Sequence, residues 1–184
     1  ALFSPQIRMH APKNLYRDRL AEQLVALLVQ YGFDLDSNLN DQGDCLLGLA
    51  CASQDVRGTG TNSVAHMVVE EAVRLGADVD RKNDAGQTPL MLSCTGKSRD
   101  WEDVQLALLD GGADVTLRDV EGNTALHYAA RHASGPTAVD MARLMLDHGE
   151  PDVGAVNLSG KTALDYAVEQ DNAALVKLLL SHMG

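Results

Sequence analysis

Four stretches of the chain align on a glycine: "DQGDCLLGLAC" at Gly43, "DAGQTPLMLSC" at Gly86, "VEGNTALHYAA" at Gly122 and "LSGKTALDYAV" at Gly160. A second signature alternates with the first: "YGFDLD" at Gly32, "LGADVD" at Gly76, "GGADVT" at Gly112 and "HGEPDVG" at Gly149. Two motifs repeated in one register constrain the fold more than any single segment does. Each period is one supersecondary unit, too small to bury its own apolar face, so neighbouring units must stack.

The residues within a period read as two helices. Thr88, Thr124 and Thr162 each precede an apolar run, where a hydroxyl can cap the free N–H groups of a helix start. Pro89 falls just inside such a start, where its missing N–H costs nothing. Leu90, Leu126 and Leu164 are followed three residues later by Ser93, Ala129 and Ala167, so a leucine and a small residue share one helical face. The second helix of each period carries an apolar pair, Leu28–Val29, Ala72–Val73, Leu108–Leu109 or Met145–Leu146, and a glycine suited to a left-handed C-cap follows.

The two motifs resemble the ankyrin repeat, G-x-T-P-L-H-x-A followed by a helix–turn–helix and G-A-D, over about residues 24–184. The resemblance implies an all-α solenoid of stacked helix–turn–helix repeats with β-hairpin-like fingers. It divides the chain into an N-terminal arm with an atypical capping helix (1–35) and repeats at 36–80, 81–115, 116–153 and 154–184. An apolar stripe at Leu20, Leu24, Leu27 and Leu28 is expected to cover the first repeat, with Ala1–Pro12 as an arm that is extended or partly disordered. The glycines at 43, 86, 122 and 160 are 43, 36 and 38 residues apart, against a family period of about 33. The surplus lies between the two helices, in polar insertions at 51–63, 96–101 and 132–137 that should share one edge of the stack.

The acidic stretch "DLDSNLNDQGD" (34–44) invites a calcium reading, since Asp34, Asp36 and Asn38 match the opening of an EF-hand loop. Leu39 stands where the turn glycine is needed and Cys45 where the bidentate glutamate is needed. The stretch instead falls where "DVDRKNDAGQ" (78–87) falls, in a finger whose Asp and Asn side chains form turns.

A net charge of -11 argues against a grip on nucleic-acid phosphates. No run of 18 apolar residues suggests a membrane span. Three cysteines, at 45, 51 and 94, have no metal-ligand spacing, and the odd count fits a reducing compartment, cytoplasmic or nuclear. Neither G-x-S-x-G nor H-E-x-x-H occurs, and "RGTGTNS" lacks the lysine and third glycine of a nucleotide loop. No catalytic residue, metal site or cofactor is expected. The resemblance gives His127 a structural role, bonding backbone between repeats, and His148 reads as a partner for a helix C-terminus.

The expected function is protein recognition without catalysis, by a chain monomeric on its own. Carried over from the family, the contact positions are Asp41, Asp44 and Ser53 in one repeat and Asp84, Gln87 and Thr95 in the next. Val120, Asn123 and Arg131 follow, then Leu158, Lys161 and Glu169. Leu117 is expected to be exposed beside Val120, and Trp101, the single tryptophan beside an insertion, is added either as a hot-spot type of residue or as a cover for the outer helix. An acidic first half and an apolar middle suit a basic and apolar partner segment. The alternative is a regulatory or targeting segment of a larger enzyme, receptor or secreted effector, which the absence of an initiating Met favours.

Overall fold

The computed structural model describes residues 15–52, 65–95 and 101–183, with the side chains of 15–22 left aside. The expected arm 1–12, most of insertions 51–63 and 96–101, and Ser53 therefore lie outside the described residues.

Helices of two kinds alternate along the chain. The outer series is α1 (Leu15–Gln30), α3 (Ala65–Arg74), α5 (Trp101–Asp110), α7 (Pro136–His148) and α9 (Ala173–Ser181). The inner series is α2 (Leu46–Ala52), α4 (Pro89–Ser93), α6 (Ala125–His132) and α8 (Ala163–Glu169). Each inner helix packs on the outer helix that follows it, α2 on α3 through α8 on α9. Inner also packs on inner and outer on outer, each pairing with the next in its row. The result is an ankyrin-type solenoid of paired helices joined by turns, and among the described residues no strand occurs.

Local chemistry starts the inner helices as the sequence implies. Thr88 Oγ1 accepts from Met91 N at 3.4 Å, and Pro89 occupies the first helical turn. Thr162 Oγ1 accepts from Asp165 N at 3.2 Å while the Asp165 carboxylate takes Thr162 N at 2.7 Å, a reciprocal capping box. The core is built from the repeated leucines and small residues, with Leu47, Leu90 and Leu126 at most 2% exposed and Ala129 and Ala167 fully buried. Small residues let neighbouring inner helices approach closely.

Two expectations need correction. The stripe on α1 does not cover the first repeat: Leu24, Leu27 and Leu28 are 56%, 48% and 36% exposed, while Val25 is buried and Val29 packs against the core. The reason is that α1 is an outer helix, docked on α3, with no inner helix packed substantially on it among the described residues. Leu24 and Leu28 sit at the register of Val104 and Leu108, which are 2% and 0% exposed in α5, a helix that does pack on an inner helix, α4. At the second correction, Gly32, Gly76 and Gly112 have φ of +83°, +90° and +89°, but Gly149 is extended, at φ -159°. Two residues, Glu150 and Pro151, separate Gly149 from Asp152 where one separates each counterpart glycine from its aspartate, and Pro151 biases Glu150 towards extended backbone. Gly149 is needed for space instead: a Cβ there would stand 2.7 Å from Val115 Cγ2.

Candidate interaction surface

Every finger is folded by one side chain. Asn40 Oδ1 accepts Gln42 N at 3.0 Å and Asp44 N at 2.9 Å. Asn83 does the same for Ala85 N and Gln87 N, Asp119 for Glu121 N and Asn123 N, and Asn157 for Ser159 N and Lys161 N, all at 2.8–3.1 Å. An Asx side chain thus replaces the strand ladder of a hairpin, supplemented by single backbone bonds such as Asn83 N to Gln87 O.

The finger tips are joined to one another. Asp84 N donates to Gln42 O at 3.0 Å, Val120 N to Ala85 O at 3.1 Å and Leu158 N to Glu121 O at 2.8 Å. One backbone bond per boundary therefore holds Asp41, Asp84, Val120 and Leu158 at equivalent places in a row. All four are exposed, Val120 at 63% and Leu158 at 82%. The row runs from acidic to apolar.

The column behind the tips is occupied in the fold, which corrects the expectation of an exposed contact there. Asp44 is 6% exposed, and its two oxygens accept Asn40 Nδ2 and Asn83 Nδ2, each at 2.8 Å. Asn123 is 4% exposed, donating to Asp119 and accepting Asn157 Nδ2 at 2.7 Å. Gln87 is half-buried between Asn83 and the Tyr128 hydroxyl. A polar group taken from water needs such partners, and the next repeat supplies them. Leu117 is likewise half-buried and packs on the core instead of standing exposed.

The remaining expected positions are spread over the inner helices and their flanks. Thr95 is half-buried, with its hydroxyl on Leu92 O at 2.8 Å. Trp101 begins α5 half-buried against the core. Arg131 is exposed, its guanidinium 5.8 Å from the Tyr166 ring centre. Lys161 Nζ lies 5.1 Å from the same ring and pairs with Glu169 at 2.7 Å.

Two tyrosines were missed by the sequence reading although the repeat register contained them: Tyr128 and Tyr166 both stand four residues beyond a capping threonine. The Tyr128 hydroxyl donates to Asp119 Oδ2 at 2.7 Å and accepts from Gln87 Nε2, also at 2.7 Å. Burial, with a smaller push from the Asp119 carboxylate, raises its pKa to about 12. His132 stacks on the Tyr128 ring at 5.7 Å, and burial lowers its pKa.

The histidine and cysteine chemistry is structural. His127 is 1% exposed; its Nδ1 accepts Thr124 N at 3.1 Å, which leaves the proton on Nε2 to donate to Lys161 O at 3.1 Å. His148 Nδ1 lies 2.9 Å from Leu144 O in the last turn of α7. Cys45, Cys51 and Cys94 are free and buried. Burial raises the Cys94 thiol to about 12 and the Cys51 thiol further, so neither is a thiolate nucleophile near neutral pH. Among the described residues no group of three His, Cys, Asp or Glu side chains could hold a metal ion.

Comparison with known proteins agrees with this geometry. A family model described as ankyrin repeats (3 copies) matches residues 62–153 and 98–184. Human B-cell lymphoma 3 protein is 36% identical over 144 residues, covering 77% of this chain and 29% of that protein. An intracellular phospholipase A2 of Caenorhabditis elegans is 28% identical over 61% of this chain and 10% of its own length. The potassium channel AKT2/3 of Arabidopsis thaliana is 26% identical over 81% of this chain and 21% of its own. The chain thus spans less than a third of each of these relatives. Ankyrin repeats generally mediate protein–protein interaction and are typically noncatalytic, and the relatives include multidomain enzymes. With its family model matched across more than half its length and its fingers and paired helices in register, the chain belongs to the ankyrin repeat family.

Proposed function

We propose that this chain is a noncatalytic recognition array that docks one protein segment along its finger-tip row. The observation carrying the reading is that row: Asp41 and Asp84 at two tips, Val120 and Leu158 at the next two, held in line by tip-to-tip backbone bonds. A pre-formed row loses little conformational entropy on binding. The matching partner is an extended segment with basic residues facing the first two tips and apolar residues facing the last two. Arg131 and the Lys161–Glu169 pair flank the apolar half. The array works as a monomer in a reducing compartment, cytoplasm or nucleus, a reading supported by three free cysteines. It engages neither nucleic acid nor membrane; the net charge of -11 supports the first part.

Selection from a random peptide library tests this directly. Enriched peptides should carry a basic-to-apolar polarity, Asp41→Lys with Asp84→Lys should slow their association, and Val120→Ser with Leu158→Ser should speed their release. Peptides without that polarity, or binding indifferent to both pairs, would overturn the proposal. A second reading, that the array is the regulatory or targeting part of a larger protein, is supported by the small fraction of each relative it spans.

A further inference from the structure

The face at the end of the stack that carries α9 repeats the chemistry of the internal boundaries, but nothing covers it among the described residues. Val168, 61% exposed, occupies the place of Cys94 and Ala130, which are 1% and 2% exposed. That place faces the following repeat, since Cys94 Sγ lies 3.8 Å from Ala125 O. Leu180, 54% exposed, occupies the place of Val73 and Leu109. That place too faces onward, because a Cβ added to Gly111 would stand 2.7 Å from Val73 Cγ1. Leu164 is only half-covered where Leu90 and Leu126 are 1% and 2% exposed. A repeat that ends a stack usually turns a polar face outward. This one turns Val168 and Leu180 outward instead.

The backbone tells the same story. Gln42, Ala85 and Glu121 each offer a tip carbonyl to the following tip. Ser159 holds the corresponding carbonyl on the last finger, and among the described residues no backbone N–H reaches it. The face therefore wants two things of an occupant: a free N–H at a finger tip and an inner helix opening with a small residue, as Ala125 and Ala163 do.

We propose that this face is an open repeat boundary whose occupant is a further repeat joined in tandem, beginning with a finger. A second copy of the chain does not meet the requirement. A two-fold pairing of these faces sets one Ser159 carbonyl against the other, acceptor to acceptor. In a head-to-tail pairing that continues the row of tips, the copy's α1, which lies one repeat ahead of its α3, falls on the place already filled by α9.

The test appends a copy of residues 150–183 after Gly184 of the full chain and follows urea unfolding and sedimentation. The appended chain should unfold in a single transition with a higher midpoint and a steeper denaturant dependence, because more surface is buried in one cooperative unit. Val168→Lys with Leu180→Lys should cancel that gain while leaving the midpoint of the original chain in place. Three results would each overturn the proposal: an unchanged midpoint on extension, an equal loss from the two substitutions in both chains, or a concentration-dependent dimer of the original chain that the substitutions dissolve. The last would assign the face to a second copy.

Discussion

His127 crosses a repeat boundary to bond Lys161 O, 34 residues further along the chain, at 3.1 Å. Its other nitrogen holds Thr124 N, so one imidazole closes a helix start and ties α6 to the finger before α8. Removing it leaves a buried N–H and a buried carbonyl without their partner. His127→Ala should cost about 1–3 kcal/mol, read as a lower urea midpoint with the fold otherwise retained; an unchanged midpoint would refute the structural role.

The same residue sets a pH dependence. Burial lowers the His127 pKa below the ordinary 6.5, and the Lys161 backbone bond only partly offsets this. The unfolded chain therefore binds the proton more readily, and stability falls as pH drops below about 6.5 through the lower folded value. His132, also lowered by burial, acts in the same direction. Asp80, raised by burial, acts in the opposite direction nearer its usual range. Melting temperature measured from pH 7.5 to 5.5 should decline, and the slope should diminish in His127→Gln.

Two finger glycines with nearly equal φ, +73° at Gly86 and +74° at Gly160, separate backbone strain from crowding. A Cβ on Gly86 would stand 2.9 Å from Val120 N, within the tip-to-tip bond, whereas one on Gly160 meets nothing within 4 Å. Gly160→Ala should cost about 1–2 kcal/mol, the penalty of a left-handed L-residue. Gly86→Ala should cost clearly more. Equal losses in chemical denaturation would mean that the stitching bond contributes nothing.

Calcium should leave the melting curve unchanged. The carboxylates of the acidic finger already accept hydrogen bonds: Asp34 from Asp36 N, Asp36 from Asp78 N, and Asp44 from two asparagine amides. A native-state site would raise stability by about 2.7 kcal/mol at a hundredfold excess over its dissociation constant. A calcium-dependent rise that disappears in Asp34→Ala would restore the EF-hand reading.

Much of this was legible in the sequence because the determinants are local. Capping threonines, Pro89, the Leu-to-small spacing and the Asx-rich fingers each act within a few residues, and repetition multiplied their signal. Exposure was harder to read, because it depends on which neighbour is present. Asp44 and Asn123 are polar residues in fingers, yet an asparagine from the next finger buries each. The α1 stripe is periodic like the other outer helices, but periodicity does not reveal that no inner helix packs substantially on it among the described residues. Gly149 follows its helix as its counterparts do, and its extended backbone and the Val115 contact that requires a glycine there show only in three dimensions.

The wiring of the helices, each pairing substantially only with its nearest neighbours in the two rows, fixes how far a disturbance can travel. A correlation along such an array decays boundary by boundary, since each repeat senses a distant one only through those between. Loosening the last two repeats should release the apolar tips Val120 and Leu158 while the acidic tips keep their geometry. Frayed in this way, the array would still attract a basic segment but no longer retain it, so capture and residence could be lost independently from opposite ends of one molecule.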